Sequence, residues 1–271
     1  MSQYRVKKRA ARLKTKYKKK KTLWKNPSFR LIIWGTILAC SLAYLLLFSP
    51  LLAINQIKII SPAALNSITP TIENLVNQKL ENRLAFLSIR KTFFLLNTAT
   101  LKKEIETMAP QVEEVIIKKE FYHTLLLQLK ERIPQAVWCY TPNDACYLID
   151  KAGMAFQITT EKTLPLIITE NETAPTALPS QVIEPSKIAR ILQAINFFQE
   201  KLAIAPQNCL TDGQDKLTVK TQEGWEVYFN LTGDLEPILT NLGLLIERSL
   251  PQEKRKNLQY IDMRFSRAFY K

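Results

Sequence analysis

Residues Leu31 to Leu52 read LIIWGTILACSLAYLLLFSPLL, a stretch without a charged side chain in which most positions are large and apolar. As a helix rising about 1.5 Å per residue it reaches roughly 33 Å, slightly more than a hydrocarbon core of about 30 Å. It therefore reads as one membrane-spanning helix. Pro50 lies close enough to its outer end for water to satisfy the carbonyl that proline leaves without a donor.

The flanks decide which way this helix points. Of the 38 Lys and Arg in the chain, thirteen precede Leu31 with no acid among them, whereas the remaining 25 face 24 Asp and Glu. The formal charge of +14 is thus concentrated in a tail. Such a tail cannot bury enough apolar surface to offset its chain entropy and is expected to be disordered. Moving its cations across a bilayer costs far more than moving the balanced remainder. Residues 1–30 are therefore expected in the cytoplasm and the chain from about Ala53 on the far side. A cleaved signal peptide fits poorly, because the basic region is too long and the apolar run exceeds the roughly 7–15 residues of a signal core. Ile37-Leu38-Ala39-Cys40 faintly resembles a lipoprotein cleavage box, but apolar residues continue past Cys40.

Outside the span the periodicities describe a small mixed module. Ile54 to Ile60 alternates like a strand that Ser61-Pro62 ends, and Thr69-Pro70 reads as a cap and first turn. In the helix that follows, Ile72, Leu75, Val76 and Leu80 share a face. After a loop over Glu81 to Phe94, Thr98 or Thr100 can cap a second helix with Leu101, Ile105 and Met108 on its inner stripe. Val112 to Glu120 and Leu125 to Arg132 then form two strands joined through His123. The second strand places Leu125, Leu127 and Leu129 on one face and Gln128, Lys130 and Arg132 on the other.

From Pro134 the pattern changes to short strands, with Ala136 to Tyr140, Cys146 to Ile149 and Met154 to Ile158 as candidates and Lys151-Ala152-Gly153 as a turn. Helices are expected over Ser186 to Leu202 and Glu236 to Arg248, the second with a broad apolar stripe suited to a sheet face. Leu217 to Thr221 and Trp225 to Asn230 make a hairpin turning at Glu223-Gly224, and Asn257 to Tyr270 reads as one long closing strand. The polar run Thr173 to Pro179 is expected as a surface loop. Cys40 lies in the span. Cys139 and Cys146 flank a turn and are either bridged across a hairpin or two half-buried thiols, since export permits a disulfide. Cys209 is then left over as a buried free thiol.

The order of these parts resembles the FtsQ/DivIB family of bacterial cell-division proteins. Four local motifs carry the resemblance. They are Ala109-Pro110-Gln111-Val112, then Thr124-Leu125 through Glu131-Arg132-Ile133-Pro134-Gln135-Ala136, Leu148-Ile149-Asp150 with Gly153 and Phe156, and Tyr260-Ile261-Asp262-Met263-Arg264-Phe265. The resemblance implies an α+β chain: a single transmembrane helix, a β-α-α-β-β POTRA domain, and a mixed α/β "β domain" ending in a C-terminal edge strand. The expected division is a basic tail over 1–30, the signal anchor over 31–52, the POTRA domain over 54–133 and the β domain over 134–271. Two places depart from the family pattern: Ser61-Pro62 stands where the family usually has a glycine, and the loop from Glu81 is long.

Chemistry finds little to work with. The only histidine, His123, sits in a turn, so no triad or metal cluster can be assembled around it, and the six glycines form no phosphate loop. The pairs Glu131-Arg132 and Asp262 with Arg264 read as structural ion pairs rather than acid–base couples. No enzyme activity, cofactor or metal is expected, and the working hypothesis is a scaffold. A closing strand at a sheet edge offers unpaired backbone groups, and Arg264 and Phe265 are residue types enriched at interface hot spots. The resemblance implies that Tyr260, Arg264 and Phe265 bind small bitopic coiled-coil division proteins of the FtsB and FtsL kind, at the septum of the bacterial inner membrane. The competing reading for Tyr260 is that it closes the β core. A different class of function would have the basic tail, with Tyr4, Tyr17 and Trp24 interspersed, tether nucleic acid or acidic lipid nonspecifically.

Overall fold

The computed structural model describes residues 27–48, 53–84, 87–90, 96–120, 123–141, 144–170, 173–265 and 267–271. The basic tail up to residue 26 and the expected end of the span, 49–52, lie outside the described residues. Helix α1 (Pro27–Phe48) begins four residues before the uncharged stretch. Proline suits a first helical position because its fixed φ is helical and its missing N–H has no partner to lose there. Arg30 therefore falls in the first turn of α1 rather than before it. Leu31, Ile32, Trp34 and Leu38 project from the helix largely exposed, and α1 is long and apolar enough to cross a membrane.

The next elements are β1 (Gln56–Ile60), α2 (Thr69–Leu80), β2 (Glu81–Leu84), β3 (Leu87–Arg90), α3 (Thr98–Met108), β4 (Val112–Glu120) and β5 (Thr124–Glu131). β5 is the middle strand, parallel to β1 and antiparallel to β4, in the order β1-β5-β4. Its central place explains why Leu125, Leu127 and Leu129 are buried, against Ile72, Val76 and Leu80 of α2 and Leu101 and Ile105 of α3. Met108, expected on the same stripe, is 39% exposed. It stands at the last helical position of α3, one residue before the buried Ala109.

Both helix starts differ from expectation. The Thr69 hydroxyl donates back to the Leu65 carbonyl (2.9 Å) instead of capping α2. For α3 the cap is Asn97, one residue earlier than the threonines, and its side-chain oxygen accepts from the Ala99 and Thr100 N–H groups. The expected loop after Leu80 contains an antiparallel hairpin, β2 with β3. In the turn into β5, His123 adopts φ +71° and its Nδ1 donates to the Ala53 carbonyl (2.7 Å). That carbonyl can only accept, so Nδ1 carries the proton. The backbone oxygen of His123 receives the Asn55 and Gln56 N–H groups, so this histidine ties the end of the anchor segment to the sheet.

The second sheet is built from β6 (Ala136–Tyr140), β7 (Ala145–Ile149), β8 (Met154–Ile158), β9 (Leu166–Thr169), β10 (Ser180–Gln181), β11 (Pro206–Thr211), β12 (Lys216–Thr221), β13 (Glu226–Asn230), β14 (Tyr260–Asp262) and β15 (Phe269–Tyr270). Its order is β10-β8-β7-β6-β9-β11-β12-β13-β14-β15. Helices α4 (Pro185–Asn196) and α5 (Glu236–Ser249) cover one face, and α6 (Gln252–Arg255) leads into β14. Ile188, Ile191 and Ile195 of α4 and Leu239, Leu242 and Ile246 of α5 pack with Trp138, Ile167, Val219, Val227 and Ile261 of the sheet. Phe198, fully buried between the layers, meets Trp225 and Phe229 at ring distances of 6.3 and 6.4 Å.

The helix expected over Ser186 to Leu202 ends at Asn196 and continues as a π turn, Phe197–Lys201. Strands β9, β10 and β11 were not legible. β9 has four residues after Pro165, β10 has two, and β11 opens on a proline. The largest departure is at the C-terminus. The single long strand expected from Asn257 to Tyr270 is instead β14 and β15, folded back antiparallel so that Ile261 faces Tyr270 and Asp262 faces Phe269. Cys139 and Cys146 stand opposite each other on β6 and β7, Cα atoms 4.1 Å apart, with their sulfurs joined as a disulfide.

Candidate interaction surface

The C-terminal hairpin stands next to β13, and the alternation of β13 sorts its side chains. Val227 and Phe229 enter the core beneath α4 and α5, which leaves Glu226 and Tyr228 on the opposite, open face. β14 runs parallel to β13 with Glu226 beside Tyr260 and Tyr228 beside Asp262. Ile261 thus joins Val227 in the core, while Tyr260 and Asp262 join Tyr228 outside it. A clamp at the far end of β12–β13 fixes this register. Arg255 of α6 grips Glu223 in the tight turn with two bonds, 2.8 and 2.9 Å, and Glu223 also accepts the Trp225 indole N–H. Arg255 holds the Glu223 carboxyl below its usual range.

Asp262 terminates the closing strand. Its Oδ1 accepts the Arg264 backbone N–H (3.1 Å), a local turn that diverts the chain out of the sheet. The same carboxylate takes the Arg264 guanidinium bidentately, Nε at 2.9 Å and Nη2 at 2.6 Å. Those bonds hold the Asp262 carboxyl below its ordinary value and raise that of the guanidinium. Locked in this way, the guanidinium lies over the Tyr228 ring (5.5 Å) and beside Phe265 (5.7 Å). Tyr228 stacks on Tyr260, with centroids 5.6 Å apart and planes 26° from parallel. Its hydroxyl donates to Glu226 (3.0 Å), and partial burial together with that bond pushes the phenol upward.

Beyond the turn, Phe265 meets Phe269 edge to face at 5.9 Å. Both are more than half exposed, at 61% and 56%, and Tyr270 is exposed beside them. Among the described residues β15 has no strand on its outer side, so one set of its backbone groups is free for pairing. Arg264 and Tyr228 also close one end of a shallow depression of about 340 Å³ on the open face, where Lys220 pairs with Glu226 at 3.3 Å.

The structure therefore brings Tyr260 and Arg264 together through Tyr228 and sets Phe265 on the other side of the guanidinium. Tyr260 belongs to the open face, not to the closed β core. Phe265 lies in the turn, so strand alternation does not decide its direction. Tyr228, Phe269 and Tyr270 were missed as members of this surface. The one signal for Tyr228 was its alternation away from Val227 and Phe229, which separates the two faces but does not say which neighbour shares them. Asp262 and Arg264 do form the structural pair expected of them, whereas Arg132 pairs with Asp150 and not with its neighbour Glu131. Among the described residues no three His, Cys, Asp or Glu side chains converge on one point.

Two family models match the chain. The model for the C-terminal part of the cell-division protein FtsQ/DivIB covers residues 136–264, and the model for the FtsQ-type POTRA domain covers residues 72–132. No curated protein matches it.

Proposed function

The chain belongs to the FtsQ/DivIB family of cell-division proteins, a non-catalytic family, and from this we propose that it is a membrane-tethered scaffold whose whole mechanism is binding. Its architecture is that of the family: an N-terminal apolar helix, a POTRA domain and a large β-sheet domain. In the proposed arrangement residues 1–30 remain in the cytoplasm, the POTRA and β domains lie outside the cell membrane at the septum, and the protein links early cytoplasmic division factors to later wall-synthesis proteins.

The observation that carries this reading is the last strand of the β domain. An edge that no strand covers among the described residues, flanked by exposed Phe265, Phe269 and Tyr270, combines main-chain pairing capacity with aromatic anchors. Tyr260, Arg264 and Phe265 are proposed to receive a small bitopic coiled-coil partner of the FtsB or FtsL kind. The Asp262 carboxylate and the Tyr228 ring pre-organise the arginine, so little rotamer freedom remains to be lost on binding.

The test is capture of that partner by the full chain in nanodiscs. Phe265→Ala removes an exposed ring with few contacts inside the domain, so circular dichroism should not change. Truncating an interface hot spot typically costs about 2 kcal/mol or more, close to thirtyfold in affinity. Undiminished capture by both Phe265→Ala and Arg264→Ala would remove this surface from the proposal.

A further inference from the structure

We propose that Arg132 is a positioning residue that latches the POTRA domain and the β domain into a single orientation. Among the described residues their hydrophobic cores are separate clusters with no residue in common, so no shared apolar core joins them there. Covalently they are joined only by the short stretch between the end of β5 at Glu131 and the start of β6 at Ala136. Among the described residues the contacts that cross the joint centre on Arg132.

The guanidinium reaches in two directions. Toward the POTRA domain, Nε donates to the Pro110 carbonyl (3.1 Å) and Nη2 to the Val112 carbonyl (3.2 Å), while the Arg132 backbone N–H donates to Gln111 (2.8 Å). Toward the β domain, Nη1 donates to the Asp150 carboxylate, and the cation lies over the Phe156 ring at 5.8 Å. The side chains of Arg132 and Asp150 are only 10% and 5% exposed. Asp150 is itself fixed, since its other oxygen accepts the Ala152 and Met154 N–H groups at 2.8 and 2.9 Å. That turn is tied to β10, where the Gln181 amide donates to Ala152 and the Val182 N–H to Gly153. At the rim, Glu113 of β4 stands between Lys130 (3.2 Å) and Lys151 of the β domain (3.7 Å).

Exposed ion pairs contribute little and hold nothing rigidly. This pair is different because it is buried and because its donors diverge in one plane. Removing either partner strands a charge out of water, and a lysine, whose three donors radiate from one nitrogen, cannot span the acceptors that Arg132 reaches from three separate nitrogens. The consequence for function rests on the scaffold reading above: a locked joint fixes the direction in which the C-terminal edge is presented relative to the anchor.

The experiment is a pulsed electron–electron distance measurement on the full chain in nanodiscs, in a Cys40→Ala background, with spin labels on Lys103→Cys of α3 and Glu247→Cys of α5. Both label sites are exposed. The expected result is one narrow distance distribution for Arg132, at least doubled in width by Arg132→Lys, with secondary structure unchanged. Arg132→Lys keeps a cation beside Asp150, which guards against wholesale unfolding, and Arg132→Gln should broaden the distribution further. A broad or multimodal distribution with Arg132 intact overturns the latch outright, and so does a lysine variant as narrow as the parent. Either outcome leaves partner capture at Phe265 untouched, so the two proposals fail separately.

Discussion

Adding a single methyl group at Gly153 should damage the β domain far more than adding one at Gly224, although both glycines occupy tight turns at positive φ, +77° and +97°. An alanine forced into left-handed backbone costs about 1–2 kcal/mol, and for Gly224→Ala that is the whole effect, because nothing lies within 4 Å of the new Cβ. At Gly153 the Cβ would stand 2.3 Å from the Ile183 carbonyl oxygen and 2.7 Å from the Ile183 side chain. The carbonyl is backbone and cannot swing aside. The β7–β8 turn must withdraw from β10, straining the Val182 to Gly153 hydrogen bond. Overpacking of this kind adds about 1–3 kcal/mol, so Gly153→Ala should lose roughly 2–5 kcal/mol in all. The assay is urea unfolding in detergent micelles followed by the fluorescence of Trp138 and Trp225, both fully buried; Trp24 and Trp34 lie outside the β domain. With a slope of about 1–3 kcal/mol per molar urea, the midpoint should fall by at least about 0.7 M for Gly153→Ala and by clearly less for Gly224→Ala. Equal shifts would refute the steric argument and leave only the backbone penalty common to both turns.

Three further outcomes follow from the charges and thiols. Because Arg264 depresses the Asp262 carboxyl in the folded chain, its contribution is fully present above the unfolded value of about 3.9 and is lost as pH falls through the lower folded value. The near-ultraviolet dichroism of the Tyr228–Tyr260 stack should therefore change with a midpoint below about 3.9, and Asp262→Asn should abolish that step; a midpoint at or above the ordinary value would contradict the clamp. Cys209, whose thiol burial pushes up to about 12, should resist a maleimide until guanidinium unfolds the domain. In protein taken from membranes the peptide spanning Cys139 and Cys146 should be recovered bridged, and separate alkylation of the two thiols before reduction would count against the pairing.

Much of this protein is written locally. The uncharged run from Leu31, the apolar faces of α2 and α5, and the alternation of β4, β5 and β13 each depend on residues within a few positions of one another, so periodicity exposes them. Asp262 marks the limit of such reading. Alternation carries a strand straight through it, and only the folded geometry reveals that its carboxylate captures the Arg264 N–H and guanidinium and turns the chain back.

The same limit applies to pairings between distant segments. β9 is short and follows a proline and β11 opens on one, so neither announces itself, yet β9 runs parallel beside β6 and β11 parallel beside β9, carrying the sheet from one half of the β domain to the other. Tyr228 meets Tyr260, and Arg132 meets Asp150, across separations that no local pattern encodes. The anchor, the charge asymmetry and the buried faces were thus determined by composition and period alone. The strand order, the C-terminal hairpin, the aromatic surface around Arg264 and the joint at Arg132 came from long-range register, because which strands lie side by side depends on how two helices and ten strands share one core, and neighbouring residues carry no record of that.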